Sequence, residues 1–230
     1  MYAFNLLDNL FVYNTTSTIT PFLPTIFQLL LQRMQESMKD TKTPRYCKLF
    51  IHSICLFSTI HGPQLLYDSL EALTPGLVGM LICNVWSVNR AACAGNDKLE
   101  VKQMIIGGCR LLTESSISQK PEVWSSLFQS ILALVDAGAD KTSQDTAGED
   151  EEQEARDFDS TYSKLAYASV VTVDPSEAIT AAPAAHFATT IAQFTASRPG
   201  QYTPLIQKAL GPREAAALQA LLQHSGVSIV

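Results

Sequence analysis

The stretch KLFIHSICLFSTIHGPQLLYDSLEAL, residues 48–73, decides the fold of this 230-residue chain. Its first part is apolar at three- and four-residue spacing over more than half of a helix circumference, which is typical of a helix covered on several sides. The tripeptide at 61–63, His-Gly-Pro, then predicts a helix end, because glycine accepts the left-handed conformation there and proline cannot continue the helix. The stretch therefore predicts two consecutive helices joined by a tight turn.

Helical patterns of the same kind cover most of the chain, and strand-like alternation is scarce. Five helix starts are marked by a threonine or aspartate cap or by a proline, at Thr20-Pro21, Thr43-Pro44, Thr74-Pro75, Asp97 and Pro121. Starts at positions 21, 44, 75, 97 and 121 are separated by 23, 31, 22 and 24 residues. Two such helices make a unit of roughly 45–55 residues, near or slightly above the length of a HEAT-type repeat.

This spacing predicts an all-α fold, a HEAT-repeat α-solenoid of antiparallel helix pairs. Further helices are expected near residues 183–196, 202–210 and 212–224. A globular helix bundle would show the same periodicity and remains the alternative.

Most of the net charge of −6 lies in one region. The residues from Asp136 to Asp159 include ten acids and two bases, a charge of −8, which leaves +2 for the remainder. We therefore expect helical repeats over 1–136, an acidic flexible linker over 137–159, and C-terminal helical repeats over 160–230 that pack on the same solenoid. Nothing in this charge distribution indicates nucleic-acid binding, which needs a concentrated basic face.

The linker contains four candidate contact residues for a basic partner, Asp150, Glu151, Glu152 and Glu154. The alternative is a solvated loop that stays unfolded because it has little apolar surface to bury. The run EDEEQEARDFD lacks the turn glycines and fixed spacing of a hard-cation loop, so no metal site is predicted.

An apolar phrase, SKLAYAS, follows the linker at residues 163–169. Its residues Leu165, Ala166 and Tyr167 form a candidate docking segment that returns the chain to the solenoid.

Motifs for catalysis are missing from the sequence, which has no GxxxxGK, GxGxxG, HExxH or GxSxG. The five cysteines form no CxxC pair and lie in apolar helical patterns, which indicates reduced, buried thiols. The pair Gly107-Gly108 indicates close helix approach and not a phosphate loop. The apolar stretches are too short or too interrupted to span a bilayer. We expect a protein that is not an enzyme, with no catalytic residue, cofactor, small-molecule substrate or membrane insertion.

Several phrases become informative when they are taken in order. After residues 48–73 come GLVGMLICNVW (76–86), GGCRLLTES (107–115) and VWSSLFQSILAL (123–134). The acidic linker, YSKLAYAS (162–169), the pair Asp174-Pro175 and a final EAAALQALLQHSGVSIV (214–230) follow. In this order and spacing the chain resembles the C-terminal region of the importin-α re-exporters in the karyopherin-β family.

The resemblance implies a superhelix of HEAT repeats that binds importin-α cargo and Ran-GTP and returns importin-α from the nucleus to the cytoplasm. It also implies a protein that shuttles between nucleus and cytoplasm. The main Ran-binding repeats of that family lie at the N-terminus, so the resemblance implies a fragment of a longer receptor. One departure is SVVTVDP at 169–175, which is apolar where a more basic stretch is expected.

Two other functions remain open from the sequence. One is a generic helical-repeat scaffold for an unrelated partner, which includes a transport receptor for a different cargo. The other is an enzyme, which would need a polar pocket with convergent cysteine, histidine or carboxylate side chains.

Overall fold

The computed structural model describes residues 2–37, 43–95, 97–142, 174–179 and 181–229. Within these ranges every regular element is helical and no strand is present, so the predicted all-α class is confirmed. In chain order the α-helices are α1 (Tyr2–Tyr13), α2 (Thr16–Ile19), α3 (Leu23–Ser37), α4 (Thr43–His61), α5 (Pro63–Leu73), α6 (Leu77–Met80), α7 (Arg90–Cys93), α8 (Lys98–Glu114), α9 (Pro121–Thr142), α10 (Pro183–Ser197), α11 (Thr203–Ala209) and α12 (Pro212–His224). Two 3-10 turns, Thr20–Phe22 and Ser116–Gln119, and one π-helical turn, Leu81–Trp86, complete these elements.

Two of the predicted helix boundaries have the expected local chemistry. Gly62, with a φ of 100°, separates the end of α4 from the start of α5. The carboxylate of Asp97 accepts hydrogen bonds from the backbone N–H groups of Leu99 at 2.9 Å and Glu100 at 3.1 Å. These bonds satisfy amide groups that have no partner inside α8, which is why the helix begins there.

The predicted start at Thr74-Pro75 is displaced. The helix α6 begins at Leu77, after Gly76 with a φ of 83°. The carboxylate of Glu71 accepts hydrogen bonds from the backbone N–H groups of Gly76 at 2.9 Å and Val78 at 3.1 Å. A side chain from the preceding helix therefore supplies the cap that the threonine was expected to provide.

The helices form two rows that pack against each other. In one row α1, α4, α8 and α10 follow one another in contact. The other row runs from α3 through α5, α6 and the π-helical turn to α9, which contacts α11 and α12. Contacts of α4 with α5 and of α8 with α9 join the rows. Two stacked rows are the arrangement of an α-solenoid, as predicted.

The helix α4 lies at the centre of the core and contacts α1, α3, α5, α7 and α8. Its residues from Phe50 to Ser58 are all buried, which explains why its sequence is apolar on nearly every side. The approach of α8 is especially close. A Cβ atom on Gly107 would lie 2.2 Å from the carbonyl oxygen of Cys55. Only a residue without a side chain allows the two backbones to come this near.

The C-terminal helices are anchored by an aromatic cluster on α9. Trp124 stacks on Phe128 at a ring-centroid distance of 5.3 Å and lies 4.9 Å from the ring of Tyr202. The hydroxyl of Tyr202 donates a 2.7 Å hydrogen bond to the carbonyl oxygen of Ser118. Since these rings are buried, the cluster fixes the segment before α11 against the start of α9.

The helix α9 ends at Thr142, which lies inside the range 137–159 predicted as linker. The division of the chain into three regions stays a prediction.

Among the described residues no single helix is long and apolar enough to cross a membrane. The helices Pro63–Leu73 and Leu77–Trp86 reach the required length and composition only when taken together, and they are bent by 104° relative to each other.

The contact between α4 and α8 predicts a graded response to three glycine-to-alanine substitutions. In Gly107→Ala the new methyl group meets backbone, which cannot rotate away, and we expect a loss of about 3 kcal/mol in unfolding free energy. In Gly108→Ala the nearest atoms belong to the Ile131 side chain at 3.0 Å, which can shift, so the loss should be about 1 kcal/mol.

Gly138→Ala in α9 is the control, since a Cβ there meets nothing within 4 Å. It should raise stability by about 0.5–1 kcal/mol, because alanine loses less backbone entropy than glycine in a helix. Urea unfolding followed by circular dichroism measures all three variants. Equal losses for Gly107→Ala and Gly108→Ala would contradict the close backbone approach.

Candidate functional site

A pocket of about 410 Å³ has Cys109, Glu114 and His186 among its lining residues. In the part of the chain that the structure describes, no group of three or more histidine, cysteine or carboxylate side chains could hold a metal ion. Burial raises the pKa of the Cys93 thiol to about 12 and also raises the pKa values of the Cys55 and Cys109 thiols. These thiols are protonated at neutral pH and serve as small apolar core residues, as predicted, whereas Cys83 is only partly buried and departs from the prediction.

The first helix of each row exposes apolar side chains. On α1, Leu6 is 71% exposed and Tyr13 is 66% exposed, and Leu10 lies between them on the same side. On the other row, Phe22 and Leu29 are each 61% exposed. We call these five residues the apolar end face.

The α1 residues of the apolar end face lie on the side of α1 that points away from the core. The opposite side of α1 carries Phe4, which packs on Tyr46 at 5.2 Å, and Phe11, which packs on Phe57 at 5.0 Å. A helix that is apolar on both sides is suited to neighbours on both sides, which is the condition of an inner helix in a solenoid. These exposed apolar side chains make the two helices a candidate interaction surface.

A buried polar cluster links α1, α4, α8 and the segment at 174–179. The His52 Nε2 lies 2.7 Å from the Gln103 Oε1, and its Nδ1 lies 3.5 Å from the Asp8 Oδ2. The Gln103 amide donates to the Asp174 Oδ1 at 3.4 Å, and Lys102 pairs with the Asp174 Oδ2 at 2.8 Å. Both ring nitrogens of His52 therefore face acceptor oxygens, an arrangement that suits the doubly protonated imidazolium.

The protonation states in the cluster follow from these contacts. Burial lowers the pKa of His52, but the hydrogen bond and charge of Asp8, with smaller contributions from Gln103 and Glu100, outweigh it and the pKa is raised. Burial raises the pKa of Asp174, but hydrogen bonds from Lys102, Ser176 and Gln103 outweigh it and bring the pKa to about 2. These contacts therefore favour the protonated form of His52 and the ionised form of Asp174.

A large apolar groove of about 660 Å³ lies between α8, α9, α12 and the start of α10. Its walls are formed by Val101 and Ile105 from α8, by Leu132 and Val135 from α9, and by Ala217 and Leu221 from α12. Polar side chains occur at Lys98, Lys102, Asp136 and His224. We call this feature the apolar groove.

The seven site residues predicted from the sequence, Asp150, Glu151, Glu152, Glu154, Leu165, Ala166 and Tyr167, all lie outside the described residues, and their roles stay predictions. The apolar end face, the buried polar cluster and the apolar groove were not predicted. The spacing of Leu6, Leu10 and Tyr13 could have indicated the first, because it forms a second apolar stripe on one helix.

Comparison with known proteins identifies similar sequences over the whole chain. The family model described as CAS/CSE protein, C-terminus, matches residues 1–221. Exportin-2 of Homo sapiens and exportin-2 of Bos taurus are each 25% identical over 231 residues, which cover 99% of this chain and 23% of the relative. Exportin-2 of Xenopus laevis is 24% identical over the same coverage. The chain thus spans about a quarter of the length of these relatives, and no solved structure gives a significant match.

The raised pKa of His52 predicts a pH dependence of stability. A raised folded-state pKa contributes stability that is fully present below the unfolded-state pKa of 6.5 and is lost as the pH rises through the folded-state value. The stability advantage of the wild type over His52→Gln should therefore be larger at about pH 5.5 than at about pH 8.5. Urea unfolding of both proteins across this range measures it.

His186→Gln is the control of opposite sign. Burial lowers the pKa of His186, so its contribution to stability is lost as the pH falls. The stability advantage of the wild type over His186→Gln should therefore grow as the pH rises. If the difference between wild type and His52→Gln were constant with pH, the paired imidazolium would be ruled out.

Proposed function

The chain belongs to the CAS/CSE family, whose C-terminal region it matches, and on that premise we propose that it acts as the C-terminal part of a karyopherin-type nuclear export receptor. The cargo is importin-α, which the complete receptor carries from the nucleus to the cytoplasm together with Ran-GTP. The chain contributes by binding proteins and not by catalysis, and the receptor shuttles between the two compartments.

The observation that carries this proposal is the apolar end face at the first helices of both rows. An uncovered apolar side on α1 and α3 fits a solenoid that continues into further helical repeats. The relatives named exportin-2 are about four times longer than the region they share with this chain. A solenoid of that length offers many modest contacts, which suits a receptor that wraps two partners.

The acidic residues Asp150, Glu151, Glu152 and Glu154 are proposed to contact a basic surface of a partner. These acids would act by electrostatic attraction, since clustered charges speed association and fix orientation more than they add affinity.

The proposal is tested with a chimera in which this chain replaces the matching region of human exportin-2. Binding to importin-α is measured by calorimetry with Ran loaded with a non-hydrolysable GTP analogue and with Ran-GDP. We expect binding that depends on the GTP form and lies within about tenfold of the parent affinity. A folded chimera that binds importin-α equally in both nucleotide states, or not at all, would contradict the proposed function.

The apolar end face is tested in the same chimera with Leu6→Asp. The matched control is Val88→Asp, because Val88 is 74% exposed and lies outside the end face. In the isolated chain both substitutions should change stability by less than about 0.5 kcal/mol, as is usual at exposed positions. In the chimera Leu6→Asp alone should weaken partner binding by about tenfold or more, because it places a charge in a repeat contact.

The acidic contact is tested by neutralising the four candidates together, as Asp150→Asn, Glu151→Gln, Glu152→Gln and Glu154→Gln. The control neutralises Asp145, Glu149, Asp157 and Asp159, which removes the same charge from the same region. Only the first set should slow association with the partner by about tenfold at low salt, with the difference fading as salt rises. If both sets slowed association equally, the four candidate residues would make no specific contact and only the total charge of the region would matter.

A further inference from the structure

The apolar groove lies beside both ends of the segment 143–173. On one side α9 contributes Asp136 and Gly138 to the lining and ends at Thr142. On the other side Ala182 and Pro183, at the start of α10, are also lining residues. The chain therefore leaves the described structure next to the groove and returns next to it.

The return point is fixed by an ion pair. Lys102 lines the groove and holds the Asp174 carboxylate at 2.8 Å. The same carboxylate accepts hydrogen bonds from the backbone N–H of Ser176 at 2.9 Å and from its hydroxyl at 2.5 Å. Asp174 is thus held at the edge of the groove by contacts from two directions.

The candidate docking segment is within reach of the groove from this anchor. Tyr167 precedes Asp174 by seven residues. Seven residues span up to about 23–25 Å when extended, so Leu165, Ala166 and Tyr167 can enter a groove whose wall includes the anchoring lysine.

The chemistry of the groove matches this segment. Its walls are aliphatic, and small residues at Ala217 and Ala220 leave room for larger incoming side chains. Leucine and tyrosine are the large apolar residues of the phrase KLAYA. Lys102 is already paired with Asp174, and Asp136 lies on the same lining, so the match between groove and segment rests on apolar surface.

We propose that Leu165, Ala166 and Tyr167 dock into the apolar groove of their own chain, between α8, α9 and α12. The docked segment covers the groove and fastens α12, the last helix, to the rest of the solenoid. This docking is independent of the export function, since it involves no partner protein.

Disulfide trapping tests the proposal in the full chain. Ala166→Cys is combined with Ala220→Cys in a Cys83→Ser background, because Cys83 is the one native cysteine among the five that is not buried. Mild oxidation should give a monomeric product that migrates faster without reductant and forms in most of the protein. The control combines Ala166→Cys with Glu122→Cys, an exposed position at the opposite end of α9, and should not cross-link.

Two other outcomes would overturn the proposal. A cross-linked dimer would assign the groove to the segment of a second copy. If no cross-link formed with Ala220→Cys in the isolated chain, the segment would not occupy the groove, and the groove would be a site for another protein.

Hydrogen exchange supplies a second measurement that does not depend on cysteines. Leu165→Asp should make the amides of α12 exchange about tenfold faster, because the charge cannot enter the aliphatic groove. Ser163→Asp adds the same charge two residues earlier and should leave the exchange of α12 unchanged. Equal exchange in both variants would contradict the docking.

Discussion

The contact between Gly107 and the backbone of Cys55 is the constraint on which the rest of the structure depends. It brings α4 and α8 so close that a single methyl group on Gly107 would overlap the Cys55 carbonyl. α4 in turn supports α1, α3 and α5, while α8 supports α9 and α10. A wider spacing here would separate the N-terminal helices from the C-terminal ones, because most contacts between the two halves pass through this pair.

The buried polar cluster follows the same row of helices. Asp8 belongs to α1, His52 to α4 and Gln103 to α8, and Asp174 lies just before α10. Apolar packing alone would permit small slides of one helix along the next, whereas buried polar groups lose much free energy when a partner is displaced. The cluster thus sets the register of helices whose spacing is set by Gly107. The two candidate binding surfaces, the apolar end face and the apolar groove, are consequently held by one connected core.

Helix class and the main boundaries could be predicted from the sequence because their causes are local. Apolar spacing, the Asp97 cap and the glycine at position 62 act within a few residues, and the Gly107-Gly108 pair was correctly assigned to close helix approach. The cap that Glu71 provides for α6 and the pairing of Asp8 with His52 arise from the tertiary arrangement. Exposure is equally non-local: Leu6 and Leu66 are both leucines in helical patterns, yet only the first lacks a covering neighbour. The candidate surfaces could not be predicted because they are defined by which helix sides remain uncovered.

Native-state hydrogen exchange in low concentrations of denaturant tests most directly whether α4 and α8 form the centre of the fold. We expect amides at 50–58 and 103–112 to exchange only through global unfolding and to be the slowest in the chain. Amides of α1 and α12 should exchange through smaller openings that leave α4 and α8 intact. If α4 or α8 exchanged as fast as α1 while another helix pair remained protected, the central role of the Gly107 contact would be contradicted.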